Sequence, residues 1–103
     1  MLKWHKHYYK GAGVKNTTRI RFRLNQGKPV PGIYLITLSE NPHNLLEILP
    51  SLTLIQKTAV QLCPEIVGIA SSKDEAFDLV TSMIQNVYDE TGDFKIKEYW
   101  KNR

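Results

Sequence analysis

Apolar and polar positions alternate first with the period of a strand and later with the period of a helix. Residues 19–24 alternate strictly between arginine and an apolar side chain, which predicts a strand with three arginines on one face. Residues 33–38 form a nearly continuous apolar run, typical of a strand that is covered on both faces. Because residues 25–32 between them are dense in turn formers, we expect the two strands to pair as an antiparallel hairpin.

An amphipathic helix is predicted next, over residues 41–62. Asn41 suits the N-cap, and Pro42 suits the first helical position, where a missing N–H costs nothing. The apolar side chains that follow are spaced by three and four residues, as on one face of a helix. Pro50 should kink or divide this helix, and Pro64 should end it.

The last third of the chain predicts a strand, a helix and a strand. Residues 66–70 are a short apolar run that predicts a buried strand. Ser72 followed by Glu75 is the capping box that begins a helix, and Gly92 is its expected end. Residues 94–97 alternate as a last strand before a short tail. The helix should bury the side chains of Ala76, Phe77, Val80, Met83, Ile84, Val87 and Tyr88.

The predicted order of elements, ββαβαβ, favours the α/β class with right-handed crossovers. We expect a four-stranded mixed sheet packed with two helices. The alternative is an α+β two-layer sandwich of the ferredoxin-like type, with both helices on one face. The chain of 103 residues makes one domain, in which residues 1–18 form a basic aromatic arm and residues 19–103 form the folded α/β body.

The composition is that of an ordinary globular domain. Apolar residues make up 42% of the chain and charged residues 23%, which allows one core and argues against disorder. The single cysteine, Cys63, excludes an internal disulfide, favours a reducing compartment, and is expected to be a buried, inert thiol. Because no stretch has the apolar length of a signal peptide or a membrane span, we expect a cytoplasmic protein without membrane contact.

Five short motifs follow one another along residues 33–99: Tyr34-Leu35-Ile36-Thr37-Leu38, Gln56-Lys57, Ile66-Val67-Gly68-Ile69-Ala70, Glu75-Ala76 and Val87-Tyr88-x-Glu90-Thr91-Gly92. Their spacing resembles that of a group of small uncharacterised bacterial proteins. The resemblance implies no function, and the basic segment 1–32 lies outside it.

Charge is distributed unevenly along the chain. The first acidic residue is Glu40, and eight lysine and arginine side chains precede it. The remainder carries six basic and ten acidic side chains, so the net charge of +4 joins a +8 front to a −4 body. Such asymmetry suggests a polyanionic partner.

Nucleic acid is the partner that the basic segment suits best, because arginine and lysine neutralise phosphates while aromatic rings stack on any base. The same charges could instead protect an exposed edge strand from aggregation, or dock on acidic residues of the same chain or of a sister subunit. The residues expected at the interface are Arg19, Arg21, Arg23 and Lys28 for phosphates, and Trp4, Tyr8 and Tyr9 for stacking.

The alternative function is that of a protein–protein interaction module, most simply a homodimer with no nucleic-acid role. In a homodimer the basic front of one copy can meet the acidic body of the other. The acidic cluster Asp89-Glu90-x-x-Asp93 could serve such a partner, although a solvated helix end is the better explanation of it.

A site for a small anion is a further hypothesis. If strands 33–38 and 66–70 are parallel, their carboxyl ends share the edge where open α/β sheets bind ligands. Helix N-termini at that edge attract anions. The residues that would line this site are Ser71, Ser72, Lys73 and His43.

The sequence presents no recognisable catalytic constellation. His5 and His7 are two residues apart, but no cysteine or acidic ligand precedes Glu40, so we expect partly exposed histidines and no metal site. No nucleophile–base pair, carboxylate pair or cofactor loop stands out. We therefore expect a non-enzymatic protein without a cofactor.

Overall fold

The structure, a computed structural model, describes residues 2–28, 30–39, 46–55, 63–92 and 95–102. Its elements in chain order are β1 (Trp4–Lys10), α1 (Thr17–Asn25), β2 (Tyr34–Leu38), β3 (Leu46–Pro50), a 3-10 helix (Ser51–Ile55), β4 (Ile66–Ala70), α2 (Lys73–Thr91) and α3 (Ile96–Asn102).

The four strands form one mixed sheet in the order β1-β4-β2-β3. β1 runs parallel to β4, whereas β2 is antiparallel to both β4 and β3. The predicted α/β class, with a four-stranded mixed sheet packed with helices, is therefore confirmed. β1 and β3 are the outer strands of this sheet.

Alternating residues of the central strands point into two separate cores. Leu35 of β2 joins a cluster with Leu24 of α1, while the next residue, Ile36, joins a cluster with Met83 of α2 and Trp100 of α3. One face of the sheet is therefore covered by α1, and we call it the α1 face. The other is covered by α2 and α3, and we call it the α2–α3 face. This three-layer arrangement differs from the two-layer alternative.

Residues 19–24, predicted as a strand, belong to helix α1. Their alternation also satisfies a helical pattern, because Ile20 and Leu24 are four residues apart and share a helix face. Leu24 is buried in the core of the α1 face, whereas Phe22 is 61% exposed. The expected hairpin between this segment and β2 is therefore wrong.

Helix α1 ends in a Schellman motif. The sequence of this segment, which is dense in turn formers, is equally compatible with a hairpin loop. The N–H of Lys28 donates to the carbonyl oxygen of Arg23 at 2.9 Å, and the N–H of Gly27 donates to that of Leu24 at 3.0 Å. Gly27 adopts the left-handed conformation that this motif needs, with a φ of 73°.

The described part of the predicted 41–62 helix is strand β3 followed by the 3-10 helix, and residues 41–45 and 56–62 lie outside the described residues. Pro50 is compatible with a strand because β3 is an outer strand. The N–H of Ser51 donates to the carbonyl oxygen of Ile33 at 2.9 Å, so the nitrogen of Pro50 points away from β2. Pairing with β2 thus overrides the helical spacing.

Both ends of the chain are more regular than the sequence predicts. Residues 4–10 of the expected arm form β1, the outer strand that pairs with β4. The expected last strand and tail form α3 instead, because Ile96 and Trp100 are four residues apart and both are buried. Phe94, at the start of that predicted strand, lies outside the described residues.

Helix α2 begins and ends as predicted. The N–H of Glu75 donates to the Oγ of Ser72 at 3.0 Å, and Gly92 takes a left-handed φ of 74° at the other end. The buried face is narrower than expected, since Phe77 is 52% exposed and Tyr88 is 45% exposed. The prediction that these two side chains are buried is wrong.

Candidate functional site

Strand β1 presents aromatic side chains to both faces of the sheet. Trp4 and Tyr8 lie on the α1 face, where both pack against its apolar core. Their ring centroids are 5.7 Å apart in an edge-to-face arrangement. Two of the three predicted stacking residues are therefore neighbours, beside helix α1.

Arg21 joins these two rings. Its guanidinium carbon lies 5.0 Å from the ring centroid of Trp4 and 5.3 Å from that of Tyr8. The indole N–H of Trp4 donates to Oδ1 of Asn25, one turn further along α1, at 3.0 Å. We call Trp4, Tyr8, Arg21 and Asn25 the aromatic–arginine cluster. Its cation–π contacts hold a half-buried guanidinium in a defined position at the edge of the sheet.

The other two arginines do not share a face with Arg21. Residues two positions apart on a helix point about 200° apart, because one turn takes 3.6 residues. Arg19 and Arg23 are four residues apart and therefore lie together on the opposite flank of α1. The predicted single face of three arginines is wrong. Lys28 is exposed beyond the end of α1.

Tyr9 is turned away from the aromatic–arginine cluster. Its ring lies 5.6 Å from that of Trp100, in an edge-to-face contact on the α2–α3 face. Its hydroxyl accepts a hydrogen bond from Nδ2 of Asn86 at 2.8 Å. Tyr9 is thus held against α2 and α3, apart from the other two predicted stacking residues.

Lysine side chains flank the cluster. Lys6 and Lys10 are exposed on β1. Lys10 pairs with Ile69, which belongs to the core of the α1 face, so strand geometry places Lys10 on that face. Lys15 is exposed in the loop between β1 and α1. The surface formed by β1, this loop and α1 therefore carries several cations next to the fixed guanidinium of Arg21.

Glu75 reaches the loop after β1 from the first turn of α2. Its Oε2 accepts the N–H of Gly13 at 2.9 Å, and its Oε1 accepts the N–H of Ser71 at 2.8 Å and the Ser71 hydroxyl at 3.0 Å. The N–H groups of Ser71 and Gly13 hold the pKa of the Glu75 carboxyl below its usual range. A Cβ on Gly11 would overlap this carboxylate, which explains a glycine at that position.

The premise of the predicted small-anion site is wrong. β2 and β4 are antiparallel, so their carboxyl ends lie at opposite edges of the sheet. The donors of Ser71 bind Glu75, and the Ser72 hydroxyl caps α2. Nζ of Lys73 lies 6.0 Å from the ring centroid of Phe77. His43 lies outside the described residues.

The two histidines of β1 take different environments. His5 is buried, and its Nδ1 accepts the N–H of His7 at 3.0 Å. Its Nε2 therefore carries the proton and donates to the carbonyl oxygen of Trp100, 3.0 Å away. His7 is exposed. In the described part of the chain, no group of three or more His, Cys, Asp or Glu side chains is placed to hold a metal ion.

The remaining candidate groups have ordinary surroundings. Cys63 is buried, and burial raises the pKa of its thiol, with Lys3 opposing that shift. Asp89 accepts a hydrogen bond from Nε2 of Gln85 at 2.8 Å on the exposed side of α2. Asp93 lies outside the described residues.

A shallow apolar groove of about 470 Å³ lies between β3 and the beginning of α2. Phe77, half-exposed on α2, forms part of its wall. The groove is on the α2–α3 face, away from the aromatic–arginine cluster. The described residues that line it are Tyr34, Leu46, Ile48, Pro50, Lys73, Phe77 and Val80.

Part of this geometry has no signal in the sequence. The contact between Arg21 and the two rings depends on α1 lying along β1, and neither element was predicted. The pairing of Glu75 with Gly13 has one local signal, the Gly11-x-Gly13 spacing directly after a strand. The hydrogen bond from Trp4 to Asn25 has none.

No family model, curated protein or solved structure matches this chain. The resemblance to small bacterial proteins therefore stays a prediction. Among the described residues, every helix is too short or too polar to cross a bilayer.

Proposed function

We propose that this protein is a non-catalytic module that binds nucleic acid through the surface formed by β1, the following loop and α1. The observation that carries this proposal is the guanidinium of Arg21, held over Trp4 and Tyr8 within a segment that has eight cations before its first acid. Fixing a cation in advance lowers the entropic cost of contacting a phosphate. The exposed Lys6 and Lys10 supply further phosphate contacts.

Protection of an edge strand accounts for Lys6 and Lys10 on β1, but it does not account for a cation fixed on the helix beside that strand.

The test is a titration of a labelled oligothymidylate of about 16 nucleotides, within the site size of single-strand modules, followed by fluorescence anisotropy. Affinity should fall steeply between about 50 and 200 mM salt, because bound lysines and arginines release counterions. The double substitution Lys6→Ala/Lys10→Ala should weaken binding and flatten the slope by about 1.4, or about 0.7 for each lost contact with a single strand.

The matched control is Lys73→Ala/Lys95→Ala, which removes two charges elsewhere on the protein. It lowers the net charge by the same amount and should leave the slope within about 0.3 of the unmodified protein. Equal losses in both double variants would show attraction by net charge alone. Absence of binding at about 50 mM salt would contradict the proposal outright.

A second candidate function is self-association through the groove beside β3. Half-exposed Phe77 and the apolar lining of the groove favour it, since exposed apolar surface of this kind commonly marks a contact with another protein. Light scattering should then show a dimer that persists at high salt and is weakened by Phe77→Ser. Phe22→Ser, which replaces the more exposed phenylalanine of α1, is the control and should have no effect. A monomer under all conditions would rule this candidate out.

A further inference from the structure

Trp4, Tyr8 and Tyr9, the three side chains predicted to stack on bases, are all engaged within the fold, which limits how a nucleic acid can be bound. The fourth aromatic side chain of the basic segment, Phe22, is exposed on α1. Trp4 contacts the core of the α1 face and the Arg21 guanidinium, and its indole N–H is bonded to Asn25. Tyr8 likewise contacts the core, Arg21 and the edge of Trp4. A base could stack on either ring only by displacing the guanidinium.

Tyr9 offers no alternative platform on the same surface. Its ring meets Trp100 and its hydroxyl meets Asn86, both on the α2–α3 face. A base stacked on Tyr9 would lie on the side of the sheet opposite to Arg21. Trp4, Tyr8 and Tyr9 therefore do not form one continuous stacking surface.

The guanidinium of Arg21 is arranged differently. A guanidinium carries its N–H donors in one plane, and this planar fork suits the two oxygens of a phosphate. Within the described residues, the contacts of Arg21 are with rings rather than with carboxylates. The two rings hold the cation beside β1, and the Arg21 residue stays partly exposed.

We propose that the aromatic–arginine cluster binds the sugar–phosphate backbone of nucleic acid through Arg21, with no base stacked on Trp4 or Tyr8. This inference deepens the proposed nucleic-acid function and rests on it. Recognition is then independent of base identity. Trp4 and Tyr8 act as positioning residues for Arg21.

The test compares two single strands that carry the same number of phosphates. Both are bound to the Phe22→Ser variant, which lacks the exposed ring of α1. One is an oligothymidylate of about 16 nucleotides, and the other is an abasic strand of equal length. Stacking of even one base contributes about fivefold or more to affinity. We expect the two dissociation constants to agree within about fivefold at the same salt concentration.

The outcomes separate the two proposals. An oligothymidylate that binds more than about fivefold more tightly than the abasic strand would overturn backbone recognition while leaving nucleic-acid binding in place. Failure to bind either strand would overturn the proposed function itself, and this inference with it.

A pair of charge-conserving variants tests the role of Arg21. Arg21→Lys removes the planar group that stacks on the rings and should weaken binding of both strands by at least about threefold. Arg19→Lys, on the exposed opposite flank of α1, should change binding by less than about twofold. Equal affinities for Arg21→Lys and the unmodified protein would overturn the assignment of Arg21.

Discussion

The two faces of strand β1 have different chemistry, although their residues alternate along one segment of seven residues. On the α2–α3 face, the ring of His5 is buried against Trp100, which also meets Tyr9. On the α1 face, Trp4 and Tyr8 hold a guanidinium that stays partly in water. The α2–α3 face of β1 contributes to core packing. The α1 face presents the Arg21 cation, whose charge is not needed for core packing.

The two faces should therefore respond differently to substitution. Variants on the α2–α3 face should have a lower free energy of unfolding and an unchanged intrinsic affinity for nucleic acid. Variants of the cation on the α1 face should have a nearly unchanged free energy of unfolding and a lower affinity for nucleic acid. The expected loss of stability decreases from Trp100 through Glu75 and Tyr9 to Arg21.

The largest loss is expected for Trp100→Ala. Trp100 is 1% exposed and touches both His5 and Tyr9, so its removal leaves a large cavity between β1 and α3. The free energy of unfolding should fall by about 3–5 kcal/mol in urea titrations. A loss below about 1 kcal/mol would show that α3 is not part of the core. Trp100→Phe should fold with a smaller loss and bind nucleic acid normally.

Glu75 connects the two faces, because it joins the loop that leads to α1 with the residues that begin α2. Glu75→Gln keeps an oxygen for Ser71 but loses an acceptor for the N–H of Gly13. We expect the free energy of unfolding to fall by about 1–2 kcal/mol at neutral pH. Asp74→Asn, at the neighbouring exposed position of α2, is the control and should change it by less than about 0.5 kcal/mol.

The contribution of Glu75 should also depend on pH. Because its pKa is lower in the folded protein than its ordinary value of 4.5, the ionised carboxylate stabilises the fold. This stabilisation is fully present above pH 4.5 and is lost as the pH falls through the folded pKa. The stability difference between the unmodified protein and Glu75→Gln should therefore shrink in acid. A difference that stays constant down to the acid transition would contradict the assignment.

Tyr9→Phe tests the α2–α3 face with a minimal change. The variant keeps the ring against Trp100 and loses the hydrogen bond from Asn86, which is exposed to solvent. We expect a loss of about 0.5–1 kcal/mol in thermal or urea unfolding. Binding of oligothymidylate should not change, and a clear loss of affinity would place Tyr9 at the interface after all.

Arg21→Met should give the smallest loss of stability. Methionine keeps an unbranched stem against Trp4 and Tyr8 but has no charge. Because a partly exposed cation–π contact contributes little, the free energy of unfolding should change by no more than about 1 kcal/mol. A larger loss would mean that the guanidinium is a structural element rather than a surface group.

The sequence predicted those elements whose signals are local. Strand β4 is an uninterrupted apolar run, and α2 is bounded by Ser72 with Glu75 at one end and Gly92 at the other. Such signals depend on neighbouring residues, and the structure keeps them. The number of strands in the mixed sheet was predicted correctly from the number of apolar runs. Only β2 and β4, however, coincide with predicted strands.

The elements that were missed satisfy two periods at once. Ile20 and Leu24 fit both an alternating strand and a helix face, and only the packing of α1 on the sheet decides between them. The candidate site was likewise predicted only in part. Charge and aromatic content pointed to residues 1–28, but the contact of Arg21 with Trp4 depends on a parallel pairing of β1 with β4 that no local signal predicts.

The most direct test of Arg21 as a contact to nucleic acid is the affinity of Arg21→Met for oligothymidylate at low salt, measured together with its melting temperature. We expect a melting temperature close to that of the unmodified protein and an affinity weaker by at least about threefold, with a flatter salt dependence. Equal affinity and equal salt slope in a fully folded variant would contradict this expectation, because the guanidinium held by Trp4 and Tyr8 would then have no part in binding.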